Sequence, residues 1–297
     1  GSYYLTGNIT GVVGKHGIEI VARGVTLDLN GFDLVGVPAM GAFDGVLVTS
    51  PGGPGSVVTA RNGSVRAWGD CGIEMPNLSG AVVTGILENI QARSNTRHGI
   101  QLNGPGSVVT GCTSQLNGAD GVNISSNSTV AHCTANSNNG NGIVTNASCN
   151  ILQCSASGNA LSGFTVNSGC TLTACTATAN LDGFRGLGGA VYTNCNAYAN
   201  NGTGIVASEG STVANCVAYI NTLDGISASE STVRDCTVTS NTANGIRASG
   251  DCKVIGNSCD GNGFGAGDGA NILVTGSDTL VEGNRCSDAV ASSTARS

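Results

Sequence analysis

Charge is scarce in this 297-residue chain: Asp, Glu, Lys and Arg together make up 10% of it. Cations are the rarer sign, with Lys+Arg at 12 against Asp+Glu at 19, a formal net charge of -7. So few cations cannot neutralise a phosphate backbone, so nucleic acid is not expected as a partner. An acidic polysaccharide would be repelled overall and would need local cations or calcium. Aromatics are 4% of residues, too few for an ordinary globular core. There is no Cys-x-x-Cys pair and there are only three histidines, which argues against zinc. No apolar run is long enough to cross a membrane, and no secretion signal or lipidation motif is present. No periodic run reaches the ~10–12 residues that a helix needs.

Glycine is abundant instead, at 47 residues, and it is regularly placed. Cysteines fall at 112, 133, 154, 175, 195, 216 and 236, spaced by 21, 21, 21, 20, 21 and 20. Five residues after each comes an asparagine: Asn117, Asn138, Asn159, Asn180, Asn200, Asn221 and Asn241. Three or four residues later comes Gly plus an apolar residue, from Gly121-Val122 to Gly245-Ile246. A fixed period in this range is the mark of a solenoid. Each repeat holds three short runs of strand-like alternation, separated by turn-forming Asn, Gly, Ser, Thr and Asp. The pattern predicts an all-β fold: a single-stranded right-handed parallel β-helix of about 11–12 coils with three short strands per coil, stacked at about 4.8 Å. Equivalent residues then form ladders. Cysteines make one, small residues from Ser114 and Ala135 to Ala218 and Val238 a second, and asparagines a third, at a turn where their amides bond along the stack and tolerate left-handed backbone. The cysteines are expected to be buried and reduced, acting as small hydrophobes. Cys149 and Cys170 form a shorter stack and would be the pair most prone to oxidise.

One continuous domain is expected. Gly1 and Ser2 read as a cloning remnant. Residues 3–56 form an N-terminal cap and the first coils, with proline-bearing loops over 37–56. Residues 57–286 form the regular coils, and 287–297 a frayed tail. Gly261 to Gly269 is a lengthened turn followed by a strand rather than a helix, so it is not a phosphate-cradling loop. Asn257 and Asn284 replace the marker cysteine, marking atypical terminal coils.

The coil pattern Gly-Ile-x-Val…Val-x-x-Cys-x-Ala-x-x-Asn resembles the β-helix repeats of the pectate lyase-like superfamily, over nearly the whole chain. That group includes polysaccharide lyases, glycoside hydrolases, mannuronan epimerases and NosD-type periplasmic proteins. The resemblance implies a secreted or envelope protein acting on or binding a polysaccharide, with substrate lying along the strand after the turn glycine. No catalytic motif carries over: neither the Asp-Pro-His of the epimerases nor the acidic signature of the polygalacturonases is present. The densest outward cluster holds Glu74, Arg97, His98 and Asp120 as catalytic candidates, with Gln101 and Asn123 beside them for substrate binding. It combines an acid, a base and a cation on three consecutive coils, the set a lyase needs to remove the C5 proton and hold a uronate carboxylate. The alternative for the aspartates before glycines is an Asx turn. Arg185 pairs with Asp182 across a turn and is a further binding candidate. Tyr198 and Tyr219 should stack as a platform for sugars. No cofactor is called for. Calcium is conceivable for the aspartates, but Asp182 and Asp224 lie two coils apart, roughly 10 Å, too far for one ion. A monomer without membrane insertion is expected. The competing function is a non-catalytic structural or adhesion rod.

Overall fold

The computed structural model describes residues 1–49, 56–76, 83–264 and 269–287. Of the expected tail over 287–297, Ser287 closes the strand Arg285–Ser287 and the rest lies outside the described residues, as do residues 265–268 of the turn from Gly261 to Gly269. Two compact units make up the chain, Gly1–Asn150 and Ile151–Ser297. Among the described residues there is no helix, and most strands are three residues long. Among the described residues the strand pairings are parallel and join a strand to its counterpart one coil on. In the first unit Ile100–Leu102 pairs Ile73–Met75 on one side and Val122–Ile124 on the other. In the second, Ile205–Ala207 lies between Phe184–Gly186 and Ile226–Ser229. Parallel strands joined by such crossovers wind right-handed. The chain is a right-handed parallel β-helix.

The period follows from what each coil must satisfy at its corners. The asparagines are buried and hand hydrogen bonds along each unit. The Asn200 backbone N–H and side-chain Nδ2 both donate to Asn221 Oδ1 (3.1 and 2.9 Å), and the same Nδ2 donates back to the Ala177 carbonyl. Asn117 does the same toward Asn138 and the Ala92 carbonyl. The left-handed backbone, however, belongs to the residue before each asparagine: Leu116, Ser137, Ala179, Ala199, Ile220 and Ser240 all have φ between 51° and 57°. A second left-handed residue precedes each marker cysteine, as at His132, Ala174 and Asn194. The coil-opening glycine answers to the asparagine of the next coil. A Cβ on Gly204 would lie 2.5 Å from the Gly225 carbonyl oxygen and 2.7 Å from Asn221 Nδ2.

All thirteen cysteines are free, and every one except Cys286 is buried. They do more than fill space. The Cys195 N–H points at Cys216 Sγ, and the thiol of Cys195 faces the Leu172 and Thr193 carbonyls. Hydrogen bonding between stacked thiols, then burial, pushes the Cys195 thiol up. Where asparagine replaces the cysteine it does the same work: the Cys236 N–H donates to Asn257 Oδ1, and the Asn257 N–H to Asn284 Oδ1. The interior rows of Ala177, Ala197, Ala218 and Val238 stack in register.

The first coils differ. Two 11-residue strands, Ser56–Arg66 and Val83–Arg93, run through a corner at left-handed Asn62 and Asn89. The single tryptophan stands at the head of the asparagine row. Buried Trp68 donates its backbone N–H to Asn95 Oδ1 and its indole N–H to the Leu34 carbonyl.

Candidate functional site

The sequence cluster lies on one outward face of the first unit. Glu74, Gln101 and Asn123 occupy the middle of three adjacent strands and are in register. Their neighbours in each strand point into the core, so these three point out. Beside them runs the row of residues that precede the coil glycines: His16, Asp44, Cys71, His98, Asp120 and Asn141. Most of this row shares a structural task. The Asp44 N–H donates to His16 Nδ1 (3.0 Å), the Cys71 N–H to Asp44 Oδ1 (2.9 Å), the Asp120 N–H to His98 Nδ1 (3.2 Å) and the Asn141 N–H to Asp120 Oδ1 (2.8 Å). Each side chain therefore clamps the backbone of the next coil. Asp182 and Asp224 do the same for Thr203 and Asn244 in the second unit. The aspartates before glycines are thus coil-to-coil acceptors and not Asx turns within their own coil.

The clamp sets the chemistry of the row. His98 Nδ1 accepts a backbone N–H, so its proton sits on Nε2. Asp120 Oδ2 lies 3.4 Å from that nitrogen, a contact that is no ion pair while Nδ1 is bare. Burial lowers the His98 pKa and outweighs the raising effect of the Asp120 charge. Both oxygens of Asp120 are engaged, because Asn141 Nδ2 also reaches Oδ1 (3.0 Å) and Asn123 Nδ2 reaches Oδ2 (3.2 Å). Glu74 is different. It has no hydrogen-bond partner among the described residues, and burial, then the charges of Asp44 and Asp70, raise its pKa. Asp44, 2% exposed, is raised to about 6, mainly by burial. The nearest oxygens of Asp44 and Glu74 and the Cys71 sulfur lie within 4.8 Å of one another.

The structure thus brings His98, Asp120 and Asn123 into contact and sets Glu74 against Asp44 and Cys71. Arg97 turns to Asp70, at 3.6 Å, with its side chain 49% exposed. Asp44 stands among the pre-glycine residues that the sequence picks out, whereas Asp70 and Cys71 were missed as neighbours. The spacings of 27 residues between Gly45, Gly72 and Gly99 could have placed Cys71 in this row and Asp70 beside it. In the second unit Arg185 bonds Asp182 at 3.1 Å. Tyr198 and Tyr219 stack at 5.5 Å and 18°, and are 39% and 38% exposed.

No curated relative matches the chain by sequence. Among solved structures it resembles the A-module of the Azotobacter vinelandii mannuronan C-5 epimerase AlgE6, with a TM-score of 0.59 and 15% identity over 97% of this chain and 81% of that one. A double-mutant form of the periplasmic alginate epimerase AlgG aligns with a TM-score of 0.54 and 13% identity, over 89% of this chain and 68% of that one. At such identities the likeness is one of fold. The family model described as the right handed beta helix region matches residues 44–174 and 165–286. Its repeats coincide with the coils and ladders described above, and the chain belongs to the right-handed β-helix family.

Proposed function

We propose that this chain binds a polysaccharide across the outward row Glu74, Gln101 and Asn123 and catalyses proton transfer on it, as a lyase or an epimerase does. The observation that carries the reading is Glu74: a half-buried, unpartnered carboxylate with a raised pKa, on the same face as a neutral imidazole and an open guanidinium. A carboxylate of raised pKa is a stronger base. Glu74 would remove the proton next to a uronate carboxyl, Arg97 would hold that carboxyl, and the His98 Nε2–H would donate to the developing negative charge. Asp120, with both oxygens already engaged, positions His98 and does not act as the base. Gln101 and Asn123 supply the amide hydrogen bonding that sugar hydroxyls take. The fold neighbours named as epimerases of mannuronan and alginate support the substrate class, and a secreted or envelope location fits it. The expected state is a monomer.

The test is a panel of neutral and uronic polysaccharides, with and without calcium, followed by absorbance of unsaturated products, by reducing ends, and by proton exchange at the sugar. Glu74→Gln should lower turnover by about 10²–10⁴-fold with the fold intact. A panel that yields no reaction with the wild-type chain would overturn the catalytic reading. A second reading, binding without catalysis, is favoured by the stacked and exposed Tyr198–Tyr219 pair. It predicts glycan retention that Tyr198→Ala abolishes.

A further inference from the structure

A second polar groove lies in the first unit, where the long strands turn their corner. It has a volume of about 330 Å³, and its walls include Asp33, Asn62, Ser64, Asn89, Gln91 and Arg93. This is the lower end of the range for small-molecule sites, ~300–1,000 Å³. Two aligned rows meet at the groove. Asp33, Ser64 and Gln91 pair in register, and so do Arg66 and Arg93.

The charges in these rows do not balance. Arg66 donates from Nε and a terminal nitrogen to Asp33 Oδ2 (3.2 and 3.1 Å), and the Ser64 hydroxyl bonds the other oxygen. Asp33 is thereby consumed. Its carboxyl is held below the usual range by the Ser64 hydroxyl and Arg66, with a smaller contribution from Arg93. Arg93, one coil on, has no ion pair among the described residues, and its Nε is buried with no hydrogen-bond partner. Glu88 lies beyond the corner, in register with Arg61. Arg66 and Arg93 stand in register and only Arg66 has a carboxylate partner, a like-charge arrangement that a strand pair disfavours. A buried N–H without an acceptor costs about 1–3 kcal/mol. The Gln91 amide, two residues before Arg93 and exposed, also makes no hydrogen bond among the described residues. A chain with so few cations has left one of them without an ion pair at the wall of a polar hollow.

We infer that this groove binds a carboxylate-bearing sugar, with the carboxylate on Arg93 and ring hydroxyls on Gln91 and Asn89. Arg93 presents Nε–H and a terminal N–H as a fork that matches a carboxylate's two oxygens. The sugar half of the inference rests on the polysaccharide reading above; the carboxylate half does not. The groove would hold a non-reacting unit of an acidic chain, away from the Glu74 face.

The probe is glucuronate, titrated into ¹⁵N-labelled wild-type protein while the Arg93 side-chain Nε–H resonance is followed, with glucose and acetate as controls. Glucuronate should shift that resonance. Glucose should leave it unmoved, and acetate should bind at least about tenfold more weakly. Arg93→Gln should abolish the binding with a thermal midpoint no lower than that of the wild type, since it removes a buried N–H that lacks an acceptor, and Gln91→Ala should weaken it without touching the arginine. Glu74→Gln should leave it intact, which separates this site from the catalytic reading. No shift with glucuronate, or equal affinity for acetate, would overturn the inference.

Discussion

At the scale of single residues the fold tolerates local costs that can be relieved. Ile220 takes φ of 54° and is 41% exposed. A β-branched residue is a steric outlier in the left-handed region, where an L-residue costs roughly 1–2 kcal/mol. Ile220→Asn should therefore stabilise by about 1 kcal/mol, seen as a higher denaturation midpoint with an unchanged slope. Asp44 is a second such residue. Its pKa rises from 3.8 to about 6 in the fold, so the native state holds the proton more tightly than the unfolded chain. Its protonated form favours folding below pH ~4, and that advantage is lost as pH climbs through 6, a change on the order of 3 kcal/mol. His98 works in the opposite sense. Its lowered pKa costs stability as pH falls below its ordinary value of 6.5, because protonated Nδ1 can no longer accept the Asp120 N–H. Asp44→Asn keeps an acceptor for the Cys71 N–H and removes the buried negative charge. It should be more stable than wild type at pH 8 and should lose the slope between pH 4 and 6. A wild-type slope that survives in the variant would show that Asp44 is not its source.

At the scale of the coil, stability resides in side chains shared between neighbours. Asn200→Ala would leave the buried Asn180 N–H without its acceptor and the Ala177 carbonyl without its amide donor. A loss of about 2–4 kcal/mol is expected in chemical denaturation. Gly204→Ala should cost more than 2 kcal/mol, because its Cβ meets backbone and a buried amide that cannot yield. This level of the structure was the most legible in sequence. A period of 20 or 21 residues sets strand, corner and strand, and Cys, Ala, Asn and Gly recur wherever a coil meets the next. Two features were not legible. The left-handed corner carries no residue signature, since Leu116, Ala179 and Ile220 all occupy it. The clamp row is filled by His, Asp, Cys and Asn in turn, because its requirement is an acceptor atom rather than a residue type. For that reason the backbone-holding task of His98 and Asp120 could not be read from their residue types. The pairing of Arg66 and Arg93 was hidden because the two early coils break the 21-residue count.

At the scale of the whole chain, the thiols offer a global test of the packing. Of 13 cysteines only Cys286 is exposed. One thiol should react quickly with a disulfide reagent in the native state, and all 13 after denaturation. Burial also holds Cys259 up at about 12, so raising the pH to 9 should not open it to reaction. Fast modification of several thiols would contradict the closed interior. The asparagine row has one more consequence. In the second unit every Nδ2 from Asn180 to Asn262 points onward and every Oδ1 points back, and the last amide, on Asn271, gives its N–H to the Ser287 carbonyl. The amides are therefore aligned head to tail as electric dipoles, so the row is polar in the way a helix is, with an acceptor at one end and a donor at the other. A further coil could be added only in the same sense, and a reversed copy would meet donor with donor.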